Sequence, residues 1–259
     1  MIQRLPRDLL YTAYEKHLLA ELDRSRLPHH VAVLADGNRR WAKTNAPGQM
    51  LEAGYRAGAA KLKEFAGWCD ELGLEVVTLW VLSTENLKRS EQDEVLPLLD
   101  IIVSLVQDLA SHPSWAVQVV GALDLLPDEP AAALRRAAEA SAGRQGMHIN
   151  VAVSYGGRHE LRDAFRSLLA EQAATGVTLE ELAATLEMDQ IASHLYTAGQ
   201  PDPDLIIRTS GEQRLSGFLM WQSAHSEFYF HEALWPDFRR VDFLRALRSF
   251  TQRERRFGR

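Results

Sequence analysis

The chain has 259 residues, 25% of them charged and 46% hydrophobic, the balance of a globular protein with room for an α/β core. Its net charge of −6 excludes the global basic field that gathers nucleic acid. Cys69 stands alone, which excludes an internal disulfide and a cysteine-based metal site. With no signal-like start and no apolar run of 18 residues, the expected location is cytoplasmic.

Residues 7–24, RDLLYTAYEKHLLAELDR, set Leu10, Tyr14, Leu18 and Leu22 on one helical face. The polar face mixes both charge signs, so the helix reads as one packed on the body or on a partner subunit, not as a membrane-surface helix. HVAVLA (30–35) predicts a buried strand, and a helix follows over about 50–72. EVVTLWVL (75–82) is a second strand, with a helix from about 92 to 110. WAVQVVGAL (115–123) precedes a helix near 128–143, and HINVAVSY (148–155) one over 160–174. Shorter helices near 178–186 and 188–195 lead to DLIIRT (204–209). EFYFHEALW (227–235) is the last predicted strand and 241–255 the closing helix. This alternation predicts an α/β fold, a mostly parallel central sheet flanked by helices. With no repeat or linker in view, residues 1–259 read as one domain, the first 27 forming an amphipathic helical extension.

Each predicted strand turns polar at its C-terminal end. The first ends in Asp36-Gly37-Asn38-Arg39-Arg40, the second in Ser83-Thr84-Glu85-Asn86 followed by Lys88-Arg89. The strand at 148–155 ends in Tyr155-Gly156-Gly157-Arg158, and the next runs into Arg208-Thr209-Ser210-Gly211-Glu212-Gln213-Arg214. Ligands of open parallel sheets bind outside the carboxyl ends of the strands. One rim would then carry Arg39, Arg40, Arg89, Arg208 and Arg214, with Asp36 and Glu85 among them. Guanidinium forks match phosphate oxygens, and glycine turns at helix starts add N–H donors. The rim should bind more than one phosphate group.

Gly37 to Thr44 comes one substitution from the nucleotide loop G-x-x-x-x-G-K-[ST], but the physical detail fails. Arg39, Arg40 and Trp41 occupy a loop that needs small residues, and Ala42 replaces the glycine before Lys43. No second strand ends in an aspartate that could complete a magnesium–nucleotide site.

HVAVLADGNRRWAK, LSTENLKR, NVAVSYGGR, DLIIRTSGEQRLSGFLMWQSAHSEFYF and ALWPDF, in this order, resemble the motifs of the cis-prenyltransferases, relatives of undecaprenyl diphosphate synthase. The resemblance runs from about residue 29 to the C-terminus. It implies a homodimeric, Mg2+-dependent enzyme with a hydrophobic tunnel, joining isopentenyl diphosphate to an allylic diphosphate with a new Z double bond. By resemblance, Asp36 is the carboxylate at the metal and the allylic diphosphate, and Glu227 a second metal-associated carboxylate. Gly37, Asn38, Arg39, Arg40 and Trp41 would cradle the allylic diphosphate. Arg208, Arg214, Leu215 and Ser216 would hold isopentenyl diphosphate. Asn86 stands where the family assists proton removal; a neutral amide is a weak base, better suited to orienting water or a diphosphate oxygen. Ser83, Thr84, Glu85 and Arg89 belong to a neighbouring loop expected to close over substrate. Arg256-Phe257-Gly258 resembles the family's C-terminal tail.

The sequence also departs from the long-chain pattern. Arg39 replaces a glycine, Leu87 a tryptophan, Leu51 and Tyr55 an arginine and a histidine, Gly217 an asparagine and His225 a tyrosine. These changes resemble the short-chain actinobacterial Z-farnesyl diphosphate synthases, and Val81 with Leu82 would set an early end to the tunnel. The expected product is about C15, from geranyl diphosphate. The alternatives are a longer-chain polyprenyl synthase, a non-catalytic partner subunit, and a branched coupling on the same fold. A lipid product leaves peripheral membrane contact open.

Overall fold

The computed structural model describes residues 7–47, 51–89 and 92–253, with side chains for all of these except 7–10, 88, 89 and 92–94. Among them, six strands pair in parallel: β1 (His30–Leu34), β2 (Val76–Trp80), β3 (Ala116–Val120), β4 (His148–Ala152), β5 (Leu205–Arg208) and β6 (Glu227–Phe230). Their order is β3-β4-β2-β1-β5-β6. The helices are α1 (Arg7–Glu21), α2 (Asn38–Asn45), α3 (Glu52–Glu71), α4 (Thr84–Arg89), α5 (Gln92–Ala110), α6 (Asp128–Glu139), α7 (Gly157–Ala174), α8 (Leu179–Thr185), α9 (Met188–Ala192) and α10 (Arg240–Gln252).

The inner strands are apolar because both faces are covered. Within β1, Val31 and Val33 point into the larger core with α3, α5 and α10. Ala32 and Leu34 alternate onto the opposite face, against Tyr155, Phe218 and Leu219. The register sets Leu34 level with Trp80 of β2 on one side and Arg208 of β5 on the other. The chain leaves β1 toward β2 and reaches β5 only after β3 and β4, so loops diverge above β1. That is where a crevice opens in such sheets.

Three expectations are corrected. Residues 38–45 form a helix, where the sequence reads as a turn leading toward one. Residues 84–89 are a short helix rather than an irregular loop. The last strand ends at Phe230, not near 235; beyond it Ala233 O accepts from Ser210 N (2.7 Å) and a 3-10 turn covers Trp235–Asp237.

The N-terminal helix packs on the body, as read. Leu18 and Leu22 are buried, Arg239 and Arg245 of the α10 region stack on Tyr11 and Tyr14 at 5.0 and 5.1 Å, and Arg248 pairs with Glu21 at 2.9 Å. Both stacking arginines are held by Asp242, which is 1% exposed and accepts from Arg239 Nε at 2.9 Å and Arg245 Nη1 at 3.2 Å. Burial alone would raise the Asp242 pKa; hydrogen bonds and charge from His231 and Arg239 outweigh it and hold the carboxyl below the usual range. A depressed carboxyl pKa contributes stability above its unfolded value, about 3.9, and that contribution fades as pH falls toward the folded value. Asp242→Asn should therefore lower urea-measured stability by about 2–3 kcal/mol at pH 7. The deficit should shrink below about pH 4; an equal deficit at pH 3 would contradict this account.

Candidate active site

Above the end of β1 the chain turns at Asp36-Gly37. Asp36 N donates to Thr209 Oγ1 (3.1 Å), and Thr209 Oγ1 in turn donates to Asp36 O (2.9 Å), so the β1 and β5 loops are laced together. Gly37 then takes φ +109°, and a Cβ there would lie 2.8 Å from Leu234 Cδ2, so only glycine fits. The turn delivers the chain into α2, with Gly37 at its N-cap. Trp235 N donates to Asp36 O (2.9 Å) and its indole to Gly58 O of α3 (2.9 Å). The apparent ALWPDF motif is thus a buttress: Trp235 and Phe238 are fully buried, with Trp235 edge-on to Phe65 at 5.7 Å.

Arg208, at the end of β5, has a side chain only 5% exposed. Its Nη2 donates to Asp36 Oδ2 at 3.0 Å, and its Nη1 donates to Ser216 Oγ at 3.0 Å and to Arg214 O. Arg40 Nη2 stands 4.0 Å from Asp36 Oδ1. The Asp36 carboxylate is 41% exposed and lies between two guanidinium groups. Arg39 is exposed, and Arg214 extends outward, 66% exposed and paired with Glu212.

Two cavities meet at this carboxylate. The first, about 250 Å3, is lined at its mouth by Asp36, Gly37, Asn38, Arg39, Arg40 and Asn86. It continues between α3 and α5 along Ala59, Leu62, Leu98, Ile101, Ile102 and Leu105. The second, about 430 Å3, is lined by Ser83, Glu85, Arg208, Arg214 and Ser216. Asp36, Arg39, Trp80, Val81, Leu82 and Asn86 face both. Asn38 Oδ1, Trp80 Nε1 and Arg208 Nε are buried without a protein partner. Buried polar groups are normally paired, and these three lie on residues that line the two cavities.

The rest of the expected site divides. Ser83 Oγ accepts from Asn86 N (2.9 Å) at the start of α4, fixing Asn86 at the shared wall. Leu215 lines a third, adjoining cavity with Glu85 and Ser216. Thr84 is buried and its hydroxyl bonds Glu85 (3.3 Å). Trp41 turns away, its indole donating to Asp237 at 2.8 Å. Glu227 is not brought to Asp36 within one chain. It opens β6 level with Leu205, at the opposite end of the strands, and pairs with Arg253. The Arg89 side chain and Arg256-Phe257-Gly258 lie outside the described residues. Trp80 and the α5 stripe are lining residues that the sequence reading left out, and Tyr55, noted there only as a departure from the long-chain pattern, lines the first cavity.

Residues 34–258 match the protein family described as "putative undecaprenyl diphosphate synthase". The chain belongs to the cis-prenyltransferase family. It is 55% identical over 252 residues to the (2Z,6E)-farnesyl diphosphate synthase of Mycolicibacterium smegmatis, covering 96% of this chain and 95% of that protein. With the (2Z,6E)-farnesyl diphosphate synthase of Thermobifida fusca it shares 56% over 249 residues, 96% of this chain and 97% of the other. Among solved structures, lavandulyl diphosphate synthase from Lavandula x intermedia, crystallised with dimethylallyl diphosphate, superposes with a TM-score of 0.81 at 35% identity. That match covers 91% of this chain and all of the other.

In this cis-prenyltransferase the α3 glycines make room for the turn. A Cβ on Gly58 would fall 2.4 Å from Asn38 Oδ1. Gly58→Ala should therefore displace Asn38, lower stability by about 1–3 kcal/mol and weaken pyrophosphate binding at the turn. Thermal denaturation and calorimetry with pyrophosphate read both effects; unchanged binding would show that Asn38 does not shape the turn.

Proposed function

We propose that the protein condenses isopentenyl diphosphate with an allylic diphosphate, geranyl diphosphate as the preferred primer, to a short Z-prenyl diphosphate of about C15. The carrying observation is the pair of cavities that meet at Asp36, one ending in apolar side chains and the other lined by Arg208, Arg214 and Ser216. The allylic donor would lie in the first, its diphosphate against Gly37, Asn38, Arg39 and Arg40 and the α2 N-terminus, its hydrocarbon between α3 and α5. Isopentenyl diphosphate would lie in the second, its diphosphate on Arg208, Arg214 and Ser216.

The allylic C–O bond breaks and diphosphate departs with the electron pair. The terminal alkene carbon of isopentenyl diphosphate bonds to the allylic carbon, leaving a cation on its methyl-bearing carbon. A proton then leaves the methylene between that carbon and the diphosphate-bearing carbon for a diphosphate oxygen or water oriented by Asn86, closing the new double bond. Arg39 and Arg40 stabilise the charge that grows on the departing oxygens. Asp36 fits a magnesium ion shared with the substrate: among the described residues no cluster of three metal-ligating side chains exists, and Mg2+ is commonly held by one or two carboxylates plus substrate phosphates. When bound, the ion would neutralise the leaving diphosphate. A homodimer belongs to this reading. Among the described residues β6 has a strand on one side only, and Phe230 is 40% exposed there. No described helix is long and apolar enough to cross a membrane.

The names of the relatives above favour the short product over a polyprenyl chain, and the intact Asp36, Asn86, Arg208, Arg214 and Ser216 favour an enzyme over a non-catalytic subunit. Labelled isopentenyl diphosphate with separate C5, C10 and C15 primers, followed by chromatography of the dephosphorylated products, tests the assignment. A C15 product from the C10 primer is expected; no elongated product from any primer would end it. Asp36→Ala should lose about 10²–10³-fold in turnover with the fold intact by circular dichroism. Wild-type turnover in that variant would remove Asp36 from the chemistry.

Val81 lies on the wall common to both cavities, close to where the growing chain begins. Each further unit buries five carbons, worth about 4 kcal/mol at about 0.8 per carbon, so extension continues wherever space allows. Val81→Ala should lengthen the product distribution. An unchanged distribution would leave length to other residues of the apolar lining, such as Leu62, Ile101 and Leu105.

A further inference from the structure

Positive charge passes through the middle of the proposed site, first on the allylic carbon as diphosphate departs, then on the methyl-bearing carbon of the acceptor. Both carbons would lie where the two cavities meet. Among the described residues that face both cavities, Trp80 is the one aromatic side chain. Of its neighbours there, Arg39 repels a cation, Ala35, Val81 and Leu82 carry no charge to offer one, and Asp36 is engaged by Arg208 at 3.0 Å.

Trp80 closes β2, level with Leu34 of β1 and Ala152 of β4. Its indole lies flat on Phe218, with ring centroids 5.0 Å apart and planes 3° apart, and Tyr155 stands edge-on to it at 6.3 Å. Phe218 and Tyr155 are fully buried and meet edge-on at 5.9 Å, so the indole sits in a fixed cluster of three rings with one face covered. The residue as a whole is only partly buried, yet its Nε1 is fully so. The N–H is therefore not what Trp80 shows to the cavities.

We propose that the uncovered face of Trp80 stabilises the cationic carbons of the prenyl transfer, a catalytic contact separate from the diphosphate grip. The inference rests on the transfer reaction proposed above. An aromatic face carries partial negative charge, and its attraction for a cation within about 6 Å is strongest for tryptophan and grows as water is excluded. A ring fixed before the charge forms needs no rearrangement when it does. Unlike water or a carboxylate, the ring forms no bond to the cation, so the carbon stays free for the alkene. The neutral substrates gain little from the contact, which therefore acts on kcat and not on KM.

Fluorotryptophans placed at position 80 alone, in the full chain, keep the shape of the ring and withdraw its π charge stepwise. The single-turnover rate of condensation should fall with each added fluorine, about tenfold in all for the tetrafluoro ring, while both KM values stay within twofold. A rate indifferent to fluorine number, or a loss confined to KM, would overturn the proposal. A second readout needs no turnover. With pyrophosphate present, calorimetry compares a geranyl-chain ammonium, its charge at the position of the reacting carbon, with the uncharged carbon isostere. Asp36 and pyrophosphate also attract the ammonium, so the deciding quantity is the part of the preference lost on fluorination. A loss of about tenfold is expected, and no loss would overturn the proposal. Wild-type protein that forms no elongated product, while its fluorinated forms show that loss, would overturn the transfer reaction and support the cation contact.

Discussion

Everything in this site hangs on the contact between Arg208 and Asp36. A guanidinium 5% exposed cannot be left without partners, because an unpaired buried charge is costly. Its partners are the carboxylate that follows β1 and the carbonyl and hydroxyl of the loop that follows β5. One side chain therefore fixes the distance between the two loops, and those loops carry the two proposed diphosphate pockets. The contact leaves Asp36 Oδ1 outside the Arg208 bond, on the side where Arg40 stands at 4.0 Å. A carboxylate held from one side and open on the other is suited to sharing a cation with a diphosphate while its own position stays fixed.

The parallel sheet makes that contact possible by bringing the carboxyl ends of β1, β2 and β5 to one level. The remaining precision comes from residues that touch no proposed substrate. Leu234 fills the space beside Gly37, Trp235 bonds both the Asp36 carbonyl and α3, and Trp41 is tied to Asp237. The diphosphate turn is thus supported from below by the segment after β6. Much of what makes the sequence motifs recognisable is this support: tryptophans and glycines that shape the turn, with arginines and one carboxylate exposed on it.

The strands and long helices were legible because burial on two faces gives continuous apolar runs and burial on one gives a helical period. The helix at Asn38–Asn45 was not, since NRRWAKTN buries only Ala42 and offers no apolar face to detect. Thr84–Arg89, at six residues, is too short for any period. The rim of polar strand ends was legible for Asp36, Asn86, Arg208, Arg214 and Ser216, which the fold brings together. Glu227, expected at the site by resemblance alone, stands apart from that rim within one chain. The β5–β6 register sets it level with Leu205, at the opposite end of the strands. Gly217 is a milder case: with φ +84° it occupies a backbone conformation that glycine and asparagine both accept, so its departure from the long-chain pattern leaves the loop's geometry unaltered.

The apolar cavity was the least legible feature, for a physical reason. Leu98, Ile101, Ile102 and Leu105 recur at the spacing of any core-facing helix, and sequence alone cannot say whether their partners are side chains or empty space. The difference lies on the α3 wall of the cavity, where Ala59 presents little volume. A close-packed interior with small residues on one wall and large ones on the other either collapses or keeps a void, and rigid helices anchored elsewhere prevent collapse. Here Phe65 of α3 is locked against Trp235 and Phe243, which pins that helix to the same segment that supports the diphosphate turn. The polar mouth and the apolar cavity are therefore held by one scaffold. A change in α3 packing would alter the grip on diphosphate and the room for hydrocarbon together.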